Sequence, residues 1–100
     1  MDIPMKPLGL VKQMIEAVGL EIAYAYDDLV FVSHNPFLVQ FSEAPGEVLV
    51  HFNAECPEED AGRIFGALQQ AGADAGLAVS RAGRYELTQG DEENMSLTFL

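Results

Sequence analysis

Two histidines and one cysteine, His34, His51 and Cys56, are the side chains of this sequence best suited to chemistry. Their types fit a zinc site, which needs three or four nitrogen, sulfur or carboxylate ligands converging on one point. No ligand-spacing motif links them, so convergence would depend wholly on how the strands pair. Cys56 precedes a predicted helix, a position where thiolates are often stabilised. Here Glu55, Glu58, Glu59 and Asp60 surround it in sequence, and their charge opposes ionisation. The histidines therefore read as ordinary strand residues and the cysteine as a small helix-start residue. A small metal-dependent or thiol enzyme using His34, His51 and Cys56 is the alternative.

Other chemistry finds less support. Asp27-Asp28 and Asp91-Glu92-Glu93 fall in predicted turns, and neither matches the calcium-loop pattern with its central Gly and terminal Glu. No glycine-rich phosphate loop follows a strand, and the aromatic residues are not interleaved with basic ones as in a base-stacking platform. No cofactor is expected.

Charge narrows the partners. Sixteen acids against five Lys and Arg give a net charge of −11, and residues 13–62 hold ten acids and no Lys or Arg. Binding to nucleic acid or an anionic membrane relies on cationic side chains near phosphates, so both are disfavoured. Basic protein segments would be attracted, although acidity also serves solubility. One cysteine permits no intrachain disulfide, and no apolar run could act as a signal peptide or span a bilayer. A cytoplasmic protein of one domain, residues 1–100, is expected.

These residues must be positioned by a framework, and its elements are legible in the hydrophobic period. Leu8, Val11, Met14, Ile15 and Val18 fall on one face of a helix over residues 4–18, with Asp2 as a possible cap and Gly19 suited to its end. The period then alternates. Leu20, Ile22, Tyr24 and Tyr26 mark a first strand, Asp27-Asp28 a turn, and "LVFVSH" a second strand broken at Asn35-Pro36. "FLVQFSEAPGEVLVHFN" gives two more strands around a Pro-Gly turn. "CPEEDAGRIFGALQQAGADAG" is a second helix, with Pro57 at its first position, acids on its positive end and a stripe of Ala61, Ile64, Phe65, Leu68 and Ala71. Leu77–Arg81 and Arg84–Thr88 read as a hairpin around Ala82-Gly83, and "QGDEEN" turns into a last strand, Met95–Phe99. The order α-ββββ-α-βββ predicts an α+β fold: a twisted antiparallel sheet with two helices on one face.

A sheet covered on one face leaves the other to explain. If Phe37, Val39, Phe41, Val48, Val50 and Phe52 pack on the helices, the opposite face carries Val30, Val32, Leu38 and Leu49. Exposing these four as one patch would be unusual for a monomer. Either a second copy covers them in a symmetric homodimer, or the sheet coils enough to enclose both faces itself. The expected function is a non-enzymatic acidic protein-binding or chaperone-like protein, dimeric through Val30, Val32, Leu38 and Leu49, with a basic or partly apolar protein segment as a further partner. A regulatory or structural subunit is a third reading.

The run from Leu10 to Phe99, with "EAVGLEIAYAYDD" closing its first helix, resembles the small acidic chaperones of bacterial type III secretion. The resemblance lies in element order and apolar spacing. This chain has one more strand before its second helix than that pattern and lacks its closing helix. The resemblance implies dimers that hold an extended partner segment.

Overall fold

The computed structural model describes residues 8–26, 28–44, 46–89 and 95–100. The predicted helix start at residues 4–7, the Asp2 cap, Pro45 of the Pro-Gly turn, and the turn and acids of 90–94 lie outside them. The first helix, α1, spans Leu8–Ala17 and buries Val11, Met14 and Ile15, one face by their spacing. The second, α2, spans Glu58–Ala75 and buries Ala61, Leu68 and Gly72.

Both helices end by the same device. Gly19 and Gly76 take left-handed φ values of 86° and 85°, a conformation that costs glycine nothing. The next residue then bonds back across the last turn, Leu20 N–H to the Ile15 carbonyl (3.2 Å) and Leu77 N–H to that of Gly72 (2.7 Å). Leu77 becomes part of the core, and Leu20 packs against it.

Among the described residues, six strands form one sheet in sequential order: β1 (Ile22–Tyr26), β2 (Leu29–Val32), β3 (Phe37–Phe41), β4 (Glu47–Asn53), β5 (Ala78–Gln89) and β6 (Met95–Phe99). The α+β class holds, and side chains of both helices share one core with β2, β3 and β4. Two details differ from the sequence reading. Ala82-Gly83 does not reverse the chain, and β5 is one continuous strand, giving α-ββββ-α-ββ. The dipeptide instead lies where the β4–β5 register slips, Val50 facing Arg81 and His51 facing Gly83. Glycine within a strand often marks such an irregularity, and only tertiary pairing separates it from a turn. The sheet is also mixed, because α2 crosses over between β4 and β5 and sets them parallel.

Phe52 sits at the centre of the core, with Phe37 and Phe65 edge-on at 6.0 and 6.4 Å and the Arg81 guanidinium 4.9 Å from its ring centre. Where α2 nears β5 and α1, Gly72 leaves no room for a side chain. A Cβ there would collide with Val79 Cγ2 and come within 3.3 Å of Met14 Sδ, whereas one at Gly66 would meet open space. Gly72→Ala should therefore destabilise the protein by about 1–3 kcal/mol through overpacking. Gly66→Ala should stabilise it by up to about 1 kcal/mol. Urea unfolding of both variants checks this, and equal effects would contradict the close packing of α2.

Candidate functional site

Ladder partners share a face of the sheet, so the pairings decide what the helix-free face carries. Val30 faces Val39, and Phe31 faces Leu38. Val30 and Val32 thus belong to the helix-facing core, with exposures of 0% and 1%. Their expected place on the outer face is corrected by the four-residue connection from Val32 to Phe37, which sets even-numbered β2 residues against odd-numbered β3 residues. That length was the available signal, and it puts Phe31 on the outer face.

The outer face is built from Tyr24, Phe31, Leu38, Gln40, Leu49 and His51, continued on β5 and β6 by Tyr85, Leu87, Leu97 and Phe99. Leu38 lies there as expected, yet it is fully buried, as is Tyr85. The sheet therefore hides part of this face without a helix. Leu49, opposite Gln40, is only partly buried, and Tyr24 and Phe99 are 57% and 46% exposed. The Tyr24 and Phe31 rings stack at 5.8 Å.

A polar relay crosses this apolar surface. Gln40 Nε2 donates to Asp28 Oδ2 (3.1 Å), which leaves its Oε1 to accept from His51 Nε2 (2.9 Å). The carboxylate can only accept, so it orients the amide, and the amide in turn fixes His51 with its proton on Nε2. The Phe99 ring lies 4.6 Å from the imidazole, centre to centre. Burial lowers the His51 pKa from its ordinary 6.5.

Electrostatically the face has one sign. Asp28 stands at the relay's end, and Glu47 shares the Leu49 side of β4. Among the described residues no Lys or Arg lies there. Lys12 is on α1, Arg63 pairs with Asp60 on α2 (3.2 Å), and Arg81 and Arg84 both reach Glu58 at the start of α2 (2.7 and 2.9 Å). The relay was not legible in sequence, because it depends on register. The missing cations were legible for β1–β4, which lie within residues 13–62, and only the side taken by Arg81 and Arg84 on β5 depended on register.

The chemical residues separate. His34 and Cys56 line one open depression of about 290 Å³ beside the α2 N-terminus, and His51 is elsewhere, on the outer face. Among the described residues no three His, Cys, Asp or Glu side chains are grouped to hold a metal ion. The surroundings of the depression are structural. His34 and Asn35 adopt left-handed φ values of 66° and 52°. The Asn35 carbonyl accepts from Asn53 Nδ2 and the Tyr85 hydroxyl, both at 3.1 Å, which holds that strained turn in place. Burial pushes the Tyr85 phenol up to about 12. Arg84 Nη1 donates to the carbonyls of Asn53 (3.0 Å) and Cys56 (2.7 Å), closing the turn into α2.

Comparison with known proteins adds no identity: no family, no curated protein and no solved structure matches the chain. Among the described residues, no helix is long and apolar enough to cross a membrane.

Two measurements check this geometry. Burial, followed by Asp60, raises the Cys56 thiol, against a smaller opposing pull from Arg84 and Arg81. Alkylation by iodoacetamide at pH 7 should therefore run slower than for a free cysteine; a faster rate would revive the thiol reading. The folded His51 binds its proton less readily than in the unfolded chain, so its contribution to stability is complete above pH 6.5 and is lost as pH falls through the lowered value. The drop in melting temperature between pH 7.5 and 5 should be smaller in His51→Gln than in the wild type.

Proposed function

We propose that this is a non-enzymatic, chaperone-like protein that holds a cationic, partly apolar segment of another protein on its outer sheet face. The observation that carries the reading is the composition of that face: aromatic and aliphatic side chains bordered by Asp28 and Glu47, with every described cation on the helix side. A net charge of −11 steers a basic segment toward the protein. Contact with Phe31, Leu49 and Tyr24 then supplies short-range burial. The resemblance in element order to type III secretion chaperones points to the same kind of role.

The competing occupant is a second copy. Of the four residues expected to form a dimer face, Val30 and Val32 are in the core and Leu38 is already buried, leaving Leu49. Pairing two such faces also brings together like-charged carboxylates with no cation between them, which costs free energy at close approach. The cationic segment is therefore the stronger reading.

A blocked octapeptide of alternating lysine and valine serves as the probe. It should bind at pH 7.5, with an association rate that falls severalfold between low and physiological salt. Leu49→Lys, which places a cation on the face, should weaken binding about tenfold while the far-UV spectrum stays unchanged. A wild-type dimer that Leu49→Asp dissociates in sedimentation would overturn this reading in favour of self-association.

A further inference from the structure

The His51 imidazole has one nitrogen that the fold does not use. Nε2 is committed to Gln40. Nδ1 has no hydrogen bond within the described structure, yet no buried side-chain nitrogen or oxygen there is left unpartnered. Nδ1 must therefore touch solvent, although the residue as a whole is only 9% exposed. With the proton held on Nε2 by the Asp28–Gln40 relay, Nδ1 carries a lone pair and can only accept. It is a fixed acceptor set among apolar side chains, between Leu38 across the ladder and the Phe99 ring.

From this placement we infer that His51 Nδ1 is the recognition point for a lysine or arginine N–H of the bound segment, and that protonation of His51 releases the segment. The inference rests on the proposed use of the outer face and adds its specificity and its regulation. The same proton does two things at once: it converts the acceptor into a donor, and it places a positive charge against a positive ligand. Hydrogen bonds from a charged donor are among the stronger ones, so losing one is felt in affinity.

The groups facing His51 permit this switch. Asp28 reaches it only through Gln40, and Glu47 lies two residue pairs along the same side of β4. From β5, Gly83 stands opposite and Tyr85 is neutral, its hydroxyl given to Asn35; from β6, the neighbour is Phe99. No described Lys or Arg approaches from β3, β4, β5 or β6 on this face, so no cation of the protein competes for the lone pair. Lysines and arginines of a ligand keep their charge between pH 5 and 8, and of the two histidines only His51 lies on this face, so it is the imidazole there on which a proton can act.

The test titrates the lysine–valine octapeptide against full-length protein at pH 7.5 and 5.0, at constant ionic strength, in wild type and His51→Gln. Glutamine retains a side-chain acceptor but has no titrating ring. Wild-type affinity should fall about tenfold or more at the lower pH, while that of His51→Gln changes less than about twofold. By linkage the peptide should also lower the midpoint of the His51 Cε1–H proton resonance titration. Equal pH dependence in the two proteins, or a His51 titration that the peptide does not move, overturns the inference while leaving the outer face as the binding surface. Failure of the peptide to bind wild type at pH 7.5 removes both proposals. Amide spectra at both pH values confirm that each protein stays folded.

Discussion

The parallel pairing of β5 with β4 is the constraint on which the remaining architecture depends. Among the described residues it is the only parallel contact in the sheet, and it requires α2 to cross from one end of β4 to the start of β5. The crossover lays α2 on one face, where α1 packs beside it and buries Met14 and Ile15. It also carries Arg81 and Arg84 to the first turn of α2. There Glu58 accepts from both, and the two arginines hold its carboxyl below the usual range. These ion pairs are largely at the surface and contribute little alone. The part-buried contribution of Arg84 is its pair of backbone carbonyls: Asn53 at the end of β4, which also accepts from Cys56 N–H (2.9 Å), and Cys56 in the turn beyond.

That arrangement divides the molecule electrostatically. Each described arginine is drawn to an acid of α2, so cationic charge collects on the helix side and the opposite face keeps only carboxylates. The partition follows from which side of β5 presents Arg81 and Arg84. The register slip between Val50 and His51 keeps both on the helix side although they are three residues apart. Without the slip, strict alternation would turn one of them outward. A strand irregularity and the charge of a distant surface are thus one feature.

The outer face solves its exposure in part by itself. Leu38 and Tyr85 are fully buried there without a covering helix, and each such side chain removed from water is worth roughly 1.5–3 kcal/mol. The Asp28–Gln40–His51 relay satisfies the polar groups that share the surface, so burial there leaves no orphaned donor. What stays accessible is a smaller strip around Tyr24, Leu49 and Phe99, apolar and bordered by acids.

Much of this was legible from residue order. Alternation and helical spacing marked both helices, the first four strands and the last, and Gly19 was readable as the end of the first helix from its place after an apolar stripe, because local sterics and burial period act within a few residues. The acidity and the absence of a metal-ligand motif were equally plain. Tertiary structure decided the rest. Whether Ala82-Gly83 turns or slips depends on β4 lying alongside, and a shift of one residue in pairing exchanges the two faces of a strand, which moved Val30 and Val32 into the core and Phe31 out. His51, Gln40 and Asp28 come from three different elements, and nothing within any one of them specifies the others. The sequence determined which residues are apolar and which are charged; the register of the sheet decided which of them meet.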